Sequence, residues 1–169
     1  MQKRRYKVGT KIVEDGRVHR IFKSAKRKDL EGKRVQTIYF RPYFKKESDN
    51  FLTSSIPLVN TELARIRMAI TRVELVELVH YLEKTARKNL IELDILKEKL
   101  SRNNARKTAQ VLKVLWVDKN NEETSFSPTK KGLYEKALRS FAEEYALIRN
   151  TSLDSALEKT EKSLGKALH

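Results

Sequence analysis

Apolar and polar positions along this chain follow two different periods, and the change from one to the other divides it. Over roughly the first sixty residues the repeat is short. Tyr6, Val8, Ile12 and Val13, with Gly9 interrupting, predict a bent strand across residues 6–13. Asp15-Gly16 is a turn signal, and residues 18–22 (VHRIF) form a second strand. Residues 26–33 (KRKDLEGK) read as an exposed hairpin loop, and 35–40 (VQTIYF) as a strand rich in β-branched and aromatic side chains. A polar loop at 45–50 precedes a last apolar run at 51–59, where Pro57 requires an edge or strand-end position. Four or five short strands in so few residues imply a small, strongly curved antiparallel β-barrel of the SH3 or Tudor size.

After Ile70 the period becomes 3.6. Thr71 with Glu74 three residues on is a capping box, opening a helix through Leu75, Val79 and Leu82. Leu93, Leu96 and Leu100 mark a second helix, and Ala105, Ala109, Leu112 and Trp116 share one face of a third. Residues 118–124 form a polar loop. Residues 126–148 (FSPTKKGLYEKALRSFAEEYALI) then read as one long helix, with Ser127 at the N-cap and Pro128 in the first turn. Its Leu133, Ala137, Phe141, Tyr145 and Ile148 recur at steps of four and three, a stripe that needs a partner surface. A last helix runs through Leu153, Leu157 and Leu164. The expected class is therefore α+β: a barrel over residues 1–62, then an all-α bundle of about five helices over 63–169.

Charge changes this picture more than composition does. The net charge is +15, and residues 1–46 hold 16 Lys and Arg against 4 Asp and Glu, a net of +12 that leaves +3 for all the rest. So lopsided a field favours polyanions through phosphate neutralisation and counterion release. Nucleic acid, or a machine bound to it, is the partner class it predicts. The absence of Cys excludes disulfides and thiolate chemistry. No apolar run reaches the length of a membrane span, and the N-terminus lacks a hydrophobic signal region, so no membrane is expected and the compartment read is the cytoplasm.

Catalytic and metal constellations are missing from the sequence. His19, His80 and His169 are scattered, and the five glycines never approach a phosphate-binding loop. The adjacent acids Glu122-Glu123 and Glu143-Glu144 point in different directions on a helix and read as solvated faces. The expectation is a non-enzymatic protein with neither metal nor cofactor. Trp116, aligned with Ala105, Ala109 and Leu112, reads as a packing residue rather than a base-stacking one.

Five stretches in order resemble the CarD family of bacterial RNA polymerase-binding transcription regulators. They are YKVGTKIV at 6–13, EGK at 31–33, IPLVN at 56–60, VLKVLW at 111–116 and FSPTKKGLYEKALRSFAEEYA at 126–146. The resemblance covers nearly the whole chain. It implies a Tudor-like domain that docks on the polymerase β subunit by pairing strands at a sheet edge, and a helical domain that touches double-stranded promoter DNA beside the melted region. Regulation would then be non-catalytic, a shift in open-complex stability by preferential binding to one state. The chain departs from the family at EDGRV (14–18), where the family carries tyrosine-proline and histidine-glycine pairs. It departs again at 85–93 (TARKNLIEL), which holds no aromatic near Asn89 where the family places a wedge tryptophan.

Candidate contacts follow. Arg87, Lys88, Arg102, Arg106 and Lys107 could line a basic edge across two helices, a solvated face being the competing reading. Lys130 and Lys131 occupy the first turn of their helix, where cations oppose the macrodipole, a small cost consistent with an anionic partner. In the barrel, Lys26, Arg27 and Lys28, with Lys3, Arg4 and Arg5, are the nucleic-acid candidates, and Lys33, Arg34 and Gln36 the polymerase-binding edge. A monomer is expected. The alternative is a basic architectural or RNA-binding protein that acts without polymerase.

Overall fold

Two residues close the first hairpin. Asp15 and Gly16 both have positive φ, 44° and 76°, the mirror-image turn whose twist matches the strands it joins. They set Glu14 of β1 (Lys11–Glu14) opposite Arg17 of β2 (Arg17–Lys28). A second turn links β2 to β3 (Arg34–Pro42). There the Asp29 carboxylate accepts the backbone N–H groups of Glu31 and Lys33 at 3.0 and 2.8 Å, and Gly32 takes φ 80°. The computed structural model describes residues 6–45, 49, 52–85, 91–122 and 125–168, and it divides into two compact units, Met1–Ala69 and Ile70–His169.

In the first unit, β4 (Ser54–Pro57) and β5 (Arg67–Met68) complete an antiparallel sheet of order β4-β3-β2-β1-β5. The sheet is open. Among the described residues its end strands β4 and β5 do not pair with each other, so these hydrogen bonds do not close the barrel that the strand count suggested. Pro57 is the last residue of β4, a strand end as expected. The unit extends past residue 62 because β5 returns to the sheet, setting Met68 opposite Ile12 and Arg67 opposite Val13. Tyr6, Ile12, Ile21, Ile38, Phe40, Leu58 and Ile66 form its core. The first strand begins at Lys11 rather than residue 6, since Gly9 at φ 93° sits in a turn before it.

The second unit holds five helices: α1 (Arg72–Glu83), α2 (Leu93–Ser101), α3 (Ala105–Lys119), α4 (Pro128–Arg149) and α5 (Leu153–Gly165). Their starts are chemically marked. Thr71 accepts from the Glu74 N–H at 3.2 Å while the Glu74 carboxylate accepts the Thr71 N–H at 2.7 Å, the full capping box. Asn104, Ser127 and Ser152 cap α3, α4 and α5. Leu75, Leu82, Leu96, Leu112, Leu115, Phe141 and Leu164 meet in one core, where cutting a leucine to alanine costs about 2–5 kcal/mol.

Along α4, Ala137 and Phe141 are buried, and Leu133, Tyr145 and Ile148 pack half-buried against that core. Burial reaches well beyond this stripe. Glu143 and Glu144, expected on a solvated face, are 0% and 2% exposed. Each carboxylate is satisfied internally: Glu143 by Arg139 one turn earlier at 2.9 Å, and Glu144 by the backbone N–H of Ile70 at 2.9 Å. Trp116 stacks on Tyr134 with ring centroids 6.2 Å apart, the packing role expected of it. Residue 118 belongs to α3, so the polar loop begins two residues later than the sequence suggested.

Candidate nucleic-acid and protein interfaces

The basic run Lys26, Arg27, Lys28 is not a loop. All three residues lie on β2, which continues to Lys28 because they pair one for one with Gln36, Val35 and Arg34 of β3. A bulge upstream decides which way each one points. Between the pairs Ile21–Phe40 and Lys23–Tyr39, β2 carries one extra residue, Phe22, and such a bulge turns two successive side chains to the same side. Phe22 and Lys23 both meet Tyr39, with the Phe22 ring centroid 6.5 Å and the Lys23 Nζ 5.3 Å from the Tyr39 ring. The shifted alternation places Arg27 on this same side, 5.5 Å from Tyr39. Lys26 and Lys28 fall on the opposite side, across from Gln36 and Arg34. The predicted trio is therefore split between two surfaces.

Lys26 belongs with the predicted protein-binding residues. It lines a groove of about 530 Å³ together with Lys33, Arg34, Gln36, Leu58 and Val59. The Gln36 amide donates to the Ser24 hydroxyl at 2.7 Å, which fixes one wall. β4 pairs with Thr37 through Phe40, so on that side Arg34, Val35 and Gln36 have no strand beside them among the described residues. The groove thus combines an unpaired stretch of β3, three cations and the apolar side chains of Leu58 and Val59. Asp29 and Glu31 line it as well.

The helical candidates are mostly engaged within the chain. Arg102 pairs with Glu98 one turn earlier, and Arg106 reaches Glu77 at 3.6 Å. Lys130 holds Asp118 at 2.6 Å, both side chains largely shielded. This pairing answers the charge that would oppose the α4 dipole, so Lys130 needs no external anion. Lys131 is exposed, Lys107 half-buried, and neither is paired with a carboxylate among the described residues. Arg87 and Lys88 lie outside the described residues, as do Lys3, Arg4 and Arg5. Lys113 is buried and donates to the Tyr81 carbonyl at 2.7 Å. Burial, then the nearby Lys84 charge, holds its amine below the ordinary value, so it too serves packing.

Alternation along 19–27 (HRIFKSAKR) mixes cations with an aromatic, the signal that could have marked a surface the sequence reading passed over. Lys11, Arg20 and Arg41 stand directly opposite one another across β1, β2 and β3. Arg41 covers the Phe22 ring at 5.3 Å and Lys11 the Tyr43 ring at 5.7 Å. With Lys23 and Arg27 they make five cations interleaved with Phe22, Tyr39 and Tyr43. None of the five has a carboxylate partner among the described residues. The described residues hold no group of three His, Cys, Asp or Glu placed to bind a metal ion, and no helix long and apolar enough to cross a membrane. Compared with protein-family models and with curated proteins, the chain matches none.

Proposed function

We propose that this protein is a non-catalytic transcription regulator of the CarD type: its first unit, Tudor-like in its strand succession, binds the RNA polymerase β subunit, and its basic surfaces bind double-stranded promoter DNA. The unpaired stretch of β3 carries this reading. Arg34, Val35 and Gln36 offer backbone groups to an incoming strand, and the adjoining groove supplies cations for acidic side chains and Leu58 and Val59 for apolar ones. Binding one promoter state better than another then shifts their balance without chemistry.

The test is retention of RNA polymerase β subunit by the immobilised full chain, compared with Lys33→Glu/Arg34→Glu. Capture by the natural chain and its loss in the variant, with unchanged circular dichroism, is the expected result. A natural chain that retains no β subunit sinks the reading. The alternative, a basic architectural or RNA-binding protein working without polymerase, is favoured by the ion pairs that engage Arg102, Arg106 and Lys130 and so leave the helical unit fewer free cations. It predicts nucleic-acid binding together with no polymerase capture.

A further inference from the structure

The cations of the first unit are arranged against the ordinary logic of a sheet. Like charges directly opposite on neighbouring strands destabilise the pairing. Here Lys11 faces Arg20 and Arg20 faces Arg41, an unbroken row of three across three strands. Several cations elsewhere in the chain are answered by a carboxylate: Arg17 by Asp49 at 2.8 Å, Lys130 by Asp118 at 2.6 Å, Arg139 by Glu143 at 2.9 Å. Among the described residues the row has no such carboxylate. Aromatic rings take the place of acids, with Arg41 on Phe22, Lys11 on Tyr43, and Lys23 and Arg27 on Tyr39. A ring face holds a cation in position at about 0.5–1 kcal/mol on an exposed surface and leaves its charge intact. The result is a set of oriented positive charges with no anionic partner among the described residues.

We propose that this face of the sheet is a binding track for the phosphate backbone of nucleic acid. Its extent fits. Arg20 and Arg27 are separated by roughly 20 Å along β2 at about 3.3 Å per residue, a span that meets several phosphates of one strand at 3.4 Å of duplex rise each. The row across β1, β2 and β3 adds width of about 10 Å at 4.8 Å per strand. Because each ring is already covered by a cation, the face does not present open platforms for base stacking. Recognition is of the backbone and independent of sequence. The β2 bulge makes the track: if residues 20–27 alternated strictly, with Phe22 in place but no bulge, Lys23 and Arg27 would point to the groove side, away from Arg20 and Arg41.

The proposal stands apart from the polymerase reading, because its test contains no polymerase. Fluorescence anisotropy of the full chain with short labelled duplex DNA, and with single-stranded DNA of the same mixed sequence, is measured over a series of salt concentrations. Arg20→Gln/Arg41→Gln is expected to lose roughly tenfold in affinity near physiological salt and to lower the slope of log affinity against log salt by about 1.8 on duplex and about 1.4 on single strands. Its thermal midpoint is expected to stay or rise, since repulsion within the row is relieved. Lys23→Gln/Arg27→Gln repeats the loss further along β2. Lys26→Gln/Lys28→Gln removes the same charge from the opposite side and is expected to leave the affinity within about twofold of the natural chain. Equal losses from all three pairs would show a net-charge effect and overturn the proposal. Unchanged affinity and slope in the first two pairs overturns it too, as does a loss that only accompanies a lowered thermal midpoint.

Discussion

The carboxylate of Glu144, buried in the C-terminal third of α4, accepts the backbone N–H of Ile70, the residue just before the Thr71 cap of α1, at 2.9 Å. Seventy-four residues of chain separate the two. A negative charge placed there also favours the positive end of the α1 dipole. Glu144→Ala leaves that partly buried N–H without this acceptor and is expected to cost about 1–3 kcal/mol. Glu144→Gln keeps an acceptor oxygen and should cost clearly less. Denaturant unfolding followed by the fluorescence of Trp116, the single tryptophan, measures both. A destabilisation below about half a kcal/mol in the alanine variant would count against the role given to this bond.

A second buried bond in the helical unit makes stability depend on pH at the alkaline end. The Tyr134 hydroxyl donates to Glu161 at 2.8 Å. Burial first, and then the Glu161 carboxylate, push its phenol well above the ordinary tyrosine value. The folded state therefore keeps a proton that the unfolded state releases near pH 10, and stability falls as pH rises beyond that point. Tyr134→Phe is expected to cost about 0.5–1.5 kcal/mol at neutral pH through the lost bond and to flatten the alkaline decline. Urea unfolding of both proteins from pH 8 to pH 11 checks it; parallel curves would refute the assignment.

What the sequence makes legible here is what short-range chemistry determines. Thr71 and Glu74, Ser127 and Pro128, and the Ala105–Trp116 spacing each lie within one or a few helical turns, and all five helices follow from such signals. Asp15-Gly16 marks its hairpin for the same reason. The sheet is less legible because its decisive contacts are distant. The two-residue strand β5 has no pattern of its own and exists only because Met68 lies across from Ile12. The bulge at Phe22 changes the side to which Lys23, Lys26, Arg27 and Lys28 point, and nothing in the residues themselves announces it. The cationic row depends on cross-strand register, and the burial of Glu143 and Glu144 on partners that a helical pattern cannot supply. Of the candidate sites, the grouping of Lys33, Arg34 and Gln36 around one groove was legible, whereas the split of Lys26 from Arg27 was not.

At the first hairpin, acid acts on His19. Its imidazole is 7% exposed, stands edge-on to Phe40 at 5.3 Å, and has Nδ1 3.0 Å from the Arg17 carbonyl. Burial pulls its pKa below the ordinary histidine value. The unfolded chain therefore takes up a proton near pH 6.5 before the folded one does, so stability is lost as pH falls from 6.5 towards the folded value. Glu14, 3.8 Å away, is raised by burial and by the Asp15 charge, so it favours the fold on acidification, at lower pH. An NMR titration of the imidazole is expected to show His19 charging below pH 6.5. Hydrogen exchange of β1 and β2 amides should accelerate between pH 6.5 and 5.5 beyond the intrinsic trend, and His19→Gln should remove that excess. A His19 that charges above pH 6.5 contradicts the burial argument.

Lys130 and Lys131 are neighbours in the first turn of α4 with different duties. Lys130 spends its charge on Asp118 at 2.6 Å, with both side chains mostly covered, whereas Lys131 is exposed and has no carboxylate partner among the described residues. Removing Lys130 leaves Asp118 half-buried without its cation, and Lys130→Gln is expected to cost about 0.5–1 kcal/mol, a surface ion pair's value at its upper end. Lys131→Gln relieves an unfavourable charge near the helix N-terminus and should be neutral or stabilising by about 0.3 kcal/mol. On DNA the order reverses. Lys130→Gln is expected to leave the salt dependence of duplex binding unchanged, while Lys131→Gln lowers its slope by up to about 0.9 if the helical unit lies against the duplex. The two variants, compared by thermal unfolding and by anisotropy on the same duplex, separate a cation that holds the fold from one available to a phosphate. A larger loss of DNA affinity from Lys130→Gln than from Lys131→Gln would reverse the assignment.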